Sequence, residues 1–278
     1  MEYAYSLTEK LAYDEELGGE CGFRTAGSIY EHRAADFLAE EMKAIGLSDI
    51  EKIPVTVDKW QFDSSSLTIA GTDINYVPAS YAQSGTDADG ITAEIVNVGT
   101  GFAEDYEGKD VKGKIVLAEI DQWNEAWIDG YIQEAALHGA AALITYDGGG
   151  YAQASDDIRN IQDVCTSDIM PTVSCSRTEG LAIAKAVKAG NNLCTLKVDN
   201  TIEPDKGTSY TVVGKIPGKS HDQQIMYAGH YDKYFYGFQD DSSSIGLIPC
   251  TSTRLSFSGQ PERLSSLPMS ATLSSQSI

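Results

Sequence analysis

The chain has 278 residues, 42% of them hydrophobic, enough to bury two cores and too many for a disordered polypeptide. Its 41 acidic residues stand against 20 basic ones, and the net charge of −21 argues against nucleic acid or an anionic membrane surface as a partner, since both need a basic patch. No apolar run reaches membrane-spanning length, and Met1 to Tyr5 lack the basic start and apolar core of a signal peptide. The chain is therefore expected to be cytoplasmic, or secreted with its targeting segment removed.

Residues 1–17 predict a helix with Leu7 and Leu11 on one face, followed by a glycine-rich turn region to Gly27. Ser28-Ile-Tyr-Glu31 is a capping box, with Ser28 placed to hold the third backbone N–H and Glu31 to reach back. The helix it opens carries Ala34, Phe37, Leu38, Met42 and Ile45 at three-to-four spacing and stops at Gly46. Alternation of Ile53, Val55 and Val57 predicts a strand. From about Trp60 to Pro204 the texture changes to short strands and turns. Strands are expected over 91–98, 113–120, 141–145, 170–174 and 193–198, with a helix over 126–138. A second capping box, Ser176-Arg-Thr-Glu179, opens a helix that presents Leu181, Ala184 and Val187. The apolar run Ile225–Ala228 then reads as a buried strand, with His230 just past its end.

Three features invite sharper readings that their surroundings do not support. Gly148 to Gly150 lack the Lys-Ser/Thr of a phosphate loop. His138 precedes Gly139 at a helix end, where a cation suits the dipole. Ser242 to Ser244 sit in no nucleophile elbow and suit helix capping better. The five cysteines (Cys21, Cys165, Cys175, Cys194, Cys250) form no Cys-x-x-Cys pair, so neither a disulfide framework nor cysteine-bound zinc is expected.

Ligands in open α/β sheets gather at the carboxyl ends of strands, which puts the chemistry at His230, at the edge of a parallel sheet. Imidazole and carboxylate are ordinary zinc ligands. Asp232 could accept the other ring N–H of His230 and fix its tautomer, and Asp240, opening a further helix, could bridge two metals. By itself, His-x-Asp followed by Asp-Asp is a weak signal.

Its context strengthens it. Ser209-Tyr-Thr-Val-Val-Gly-Lys-Ile-Pro-Gly218, Ile225-Met-Tyr-Ala-Gly-His-Tyr-Asp232 and Gly237-Phe-Gln-Asp-Asp-Ser-Ser-Ser244 together resemble metallopeptidase family 28, the two-zinc aminopeptidases related to glutamate carboxypeptidase II. Phe23-Arg-Thr-Ala-Gly-Ser28 is similar to that family's opening, and Ser244 stands where the family has Gly. Within 63–205, Gly-Lys-Ile-Val-Leu, then Ala-x-x-x-Gly-Ala, then Met-Pro-Thr-Val-Ser resemble the protease-associated (PA) domain commonly inserted in these peptidases. The resemblance implies an α/β fold: a partial three-layer zinc-peptidase domain over 1–62 and 206–248, with an inserted β-rich PA domain over 63–205. It implies His230 as a ligand of the first of two zinc ions, Asp240 as the bridge, Asp232 as the carboxylate that orients His230, and a peptide as substrate.

The last thirty residues hold nine serines and one acidic residue, Glu262, and show no helical or strand period. Residues 249–278 are read as an aberrant tail, expected to be loosely packed; a shifted reading frame is one explanation. No match follows Ile248 for the family's Glu-Glu pair, its further Asp or its late His, so zinc should bind weakly or not at all and hydrolysis should be absent. The alternative is a non-enzymatic protein- or peptide-binding module built on the PA domain. Substrate preference, amino- versus carboxypeptidase action and oligomeric state are not legible.

Overall fold

The structure is a computed structural model and describes residues 2–19, 22–121, 125–148, 156–157, 159, 168–218, 225–233 and 269–274. In chain order its elements are helices α1 (Glu2–Tyr13), α2 (Glu15–Gly18) and α3 (Ile29–Ala44), then strands β1 (Ser48–Ile69), β2 (Asn75–Tyr76), β3 (Ala79–Ser80) and β4 (Ile91–Asn97). After them come β5 (Ile115–Ile120), α4 (Ile128–Leu137), β6 (Ala142–Asp147), β7 (Thr172–Cys175), α5 (Arg177–Lys188), β8 (Leu193–Ile216), β9 (Ile225–His230) and β10 (Met269–Ser274). The chain divides into two compact units, Met1–Trp60 with Glu203–Ser277, and Gln61–Ile202. The long strands β1 and β8 each run from one unit into the other.

The first unit buries Leu7, Leu11, Leu17, Ala34, Ala35, Leu38 and Met42 of its helices against Leu47, Val212 and Tyr231. The expected single helix over 1–17 is two. Asp14 breaks it because its carboxylate accepts the backbone N–H of Glu16 and caps a new helix, which outweighs one continued turn. α3 begins and ends as its sequence predicts, capped by Ser28 and closed before Gly46, whose φ of 91° is a left-handed conformation few other residues adopt.

In this unit the sheet is mixed rather than parallel. Among the described residues β9 pairs in parallel with β10, and β10 pairs antiparallel with β8. β10 is a second correction, since no strand period was read in the tail. Backbone pairing asks only for N–H and C=O groups at each position, and Met269–Ser274 contains no proline, Pro268 standing just before it. β9 itself is not fully buried: its side chains alternate, and Met226 is 66% exposed.

The second unit holds strands in the order β2-β1-β8-β4-β5-β6-β7-β3, with β4 to β7 mutually parallel. Its core includes Leu67, Ile95, Ile115, Leu117, Ile144, Tyr146, Val173, Ile183 and Leu196. β8 does not stop at 198 but continues through Pro204, with Asp205 at a φ of 56° absorbing the irregularity. The capping box at Ser176 and Glu179 is complete, yet α5 turns Gly180, Ile183 and Ala186 inward and leaves Leu181 exposed. Gly180 explains the choice: a Cβ there would stand 2.1 Å from Cγ of Tyr146, so this face meets the ring closely. Gly180→Ala should therefore destabilise the second unit by about 1–3 kcal/mol through overpacking, measurable as a lower denaturation midpoint.

Candidate metal centre at the end of β9

Residues 230 to 233 leave the end of β9 and are held from behind by the first turn region and by α1 to α3. His230 Nδ1 lies 2.9 Å from Asp232 Oδ1. The Asp232 side chain is only 2% exposed, whereas that of His230 is 30% exposed. With the proton on Nδ1, the bond runs from the ring N–H to the carboxylate and leaves Nε2 as the unprotonated nitrogen. The structure thus brings two of the three expected site residues together. Asp240, Asp241 and Ser242 to Ser244 lie outside the described residues. Among the described residues no group of three or more His, Cys, Asp and Glu side chains could hold a metal ion.

Around this pair sits a buried polar cluster that the sequence reading did not single out. Arg24 is fully buried; its Nε donates to Tyr231 O at 2.6 Å, and its Nη1 to Leu11 O at 2.5 Å and Leu17 O at 3.2 Å. Its backbone forms a two-bond bridge with Lys233, at 3.1 and 2.9 Å. The Lys233 side chain, 1% exposed, donates to Ala12 O. Leu11 and Ala12 are in the last turn of α1 and Leu17 in that of α2, where carbonyls lack intrahelical donors and the dipole favours cations. Both cations feel their burial. It depresses Arg24 to about 10, against the opposing pull of Asp232, Tyr231 and Glu31, and it lowers Lys233 to about 7, with Arg24 adding repulsion.

On the other side of Asp232, the Tyr231 ring is buried and its hydroxyl lies against Glu31 Oε1, 2.7 Å from Tyr210 O. Glu31 also accepts the Tyr210 N–H at 3.2 Å, and burial raises its pKa. The expected box at Ser28 is therefore only half made. Ser28 Oγ accepts from Glu31 N at 3.1 Å, but the Ser28 N–H goes to Thr25 O, and the Glu31 carboxylate turns to β8 and Tyr231. Gly27, with φ 79°, completes this turn: a Cβ there would meet Val57 Cγ2 at 3.1 Å, tighter than most contacts. The one sequence signal for the cluster was the Arg-x-x-Gly-Ser spacing from Arg24 to Ser28.

His138 caps the end of α4, its Nε2 3.1 Å from Glu134 Oε1 and its ring stacked at 4.4 Å on Tyr106. These are helix-end and packing contacts.

A family model described as PA domain matches residues 91–183. Carboxypeptidase Q of Bos taurus is 26% identical over 227 residues, which cover 78% of this chain and 47% of that protein. Among solved structures, BSAP, a zinc aminopeptidase from Bacillus subtilis, matches 98% of this chain and 60% of its own at 21% identity, with a TM-score of 0.67. The Peptidase M28 precursor from Shewanella amazonensis SB2B matches 98% and 66% at 20% identity, with the same TM-score. The chain thus spans about half the length of its curated relative and three fifths of the aminopeptidase. The fold class read from the sequence holds: α/β, with a PA domain, in a fold shared with these two solved peptidases. None of the helices among the described residues is long and apolar enough to cross a membrane.

Proposed function

We propose that this chain carries the first half of a two-zinc exopeptidase, aminopeptidase-like and acting on peptide bonds, with the PA domain inserted over about 63–205. The observation that carries the reading is the His230–Asp232 contact at a strand end, within a fold that follows a zinc aminopeptidase over 98% of the chain. His230 is the ligand the described residues offer, through Nε2, and Asp240 is the proposed bridge. When bound, a zinc pair lowers the pKa of a water and polarises the scissile carbonyl. Asp232 holds the ring in one tautomer and orientation, so that the nitrogen facing the metal is the unprotonated one. His230 offers the donor chemistry such a site needs, Asp240 is the further ligand that the resemblance implies, and two ligands fall short of the three or four that zinc sites use.

Release of nitroaniline from aminoacyl p-nitroanilides at saturating zinc is the readout of that activity. A chain continued past Ile248 with an in-frame Glu-Glu pair, a further Asp and a late His should hydrolyse them, and Asp232→Asn should lower that activity about 10–100-fold. A continued, folded chain that binds peptides through residues 63–205 without cleaving them would favour the PA binding module instead.

A further inference from the structure

We infer that Arg24 is a positioning residue for His230, acting through the backbone on either side of Asp232. The inference extends the proposed metal site, but its core concerns the imidazole and not the ion. Arg24 makes three hydrogen bonds to the two neighbours of Asp232: Nε to Tyr231 O, its own N–H to Lys233 O, and its C=O from Lys233 N–H. The guanidinium that does so is anchored on Leu11 O and Leu17 O, the carbonyl ends of two helices. Tyr231 is fixed from the opposite side by Glu31 and the apolar core. The main chain at Asp232 therefore has little freedom, and its carboxylate is aimed at His230 Nδ1 by residues more than 200 positions away in sequence.

A guanidinium is suited to this. It is planar, keeps its charge when buried, and offers donors in several fixed directions, so one side chain can hold α1, α2 and the 231–233 segment at once. Lysine at 24 would keep the charge and reach fewer of these carbonyls, and methionine would keep bulk alone. A purely structural Arg24 would alter stability when replaced and leave the histidine tautomer as it was. A positioning Arg24 would alter both.

The test uses the full chain with 15N-labelled histidine. Two-bond 15N–1H spectra report which ring nitrogen carries the proton, and His230→Gln assigns the signal. The parent should show His230 protonated on Nδ1. Asp232→Asn and Arg24→Met should each give a mixture of tautomers, Arg24→Lys a smaller departure, and the Arg24→Met/Asp232→Asn double variant no more than either single change. Zinc affinity, where measurable, should fall about 10–100-fold in the same variants. Should Arg24→Met not fold, Arg24→Lys decides the matter alone. A folded Arg24 variant with the parent tautomer, beside an altered Asp232→Asn, overturns the inference. Altered tautomers with unchanged zinc affinity would uphold it and place the metal elsewhere, contradicting the proposed function instead.

Discussion

Glu31→Ala should cost the first unit about 1–3 kcal/mol, one of the largest effects of a single substitution here. The carboxylate is fully buried and accepts the Tyr210 N–H and the Tyr231 hydroxyl. An orphaned buried donor costs about 1–3 kcal/mol, and the Tyr231 hydroxyl keeps Tyr210 O as a second acceptor, which limits the total. Hydrogen exchange of α3 and β8 amides reads this unit specifically, and the second unit should be unaffected. Burial also gives the effect a sign in pH. Because the folded-state pKa of Glu31 is raised, its contribution is complete below the ordinary value of 4.5 and is lost as pH rises through the folded one. Glu31→Gln, which keeps an acceptor and removes the charge, should lose that dependence.

Lys233 has the opposite dependence. Its folded pKa is depressed to about 7 from an ordinary value near 10.5, so its stabilising contribution is present above the unfolded value and is lost as pH falls through about 7. The span corresponds to on the order of 4 kcal/mol between about pH 10 and pH 7. The physical reason is that near neutrality the ammonium must either stay charged in a buried place, with Arg24 nearby, or give up its proton. Lys233→Met should flatten this slope while leaving Ala12 O without its donor, at about 1–3 kcal/mol above pH 10. Exchange protection of α1 and β9 amides at pH 7 and pH 9.5 distinguishes the parent from the variant; equal slopes in both would contradict the assignment.

What the sequence disclosed and what it hid have separate physical causes. α3 was legible from both ends because Ser28 caps it, Gly46 stops it, and the residues between repeat with a helical period. The position of His230 at a strand end was legible because the apolar run before it ends just where a polar stretch begins. The break at Asp14 was not, since an aspartate inside a helical period looks like a solvent-facing residue until its carboxylate is seen on Glu16 N. β8 was cut short at 198 because Pro204 reads as a boundary, whereas the strand tolerates it beside an irregular Asp205. Beyond the Arg24-x-x-Gly-Ser28 spacing, the contacts of the Arg24, Glu31, Tyr231 and Lys233 cluster were not legible. Its contacts join residues about 200 positions apart, and no local period carries such information. β10 was missed for a related reason, since β8 and β9, close in sequence, each pair with a strand drawn from the far end of the chain.

We propose that His230, steadied by Asp232, is a zinc ligand. Calorimetric titration of the chain with zinc, repeated on His230→Ala, tests it most directly. Binding by the parent should be far weaker than the about 10–16 kcal/mol of complete structural zinc sites, and should disappear in His230→Ala. Tight binding by the parent that persists unchanged in His230→Ala would show that the metal centre lies elsewhere.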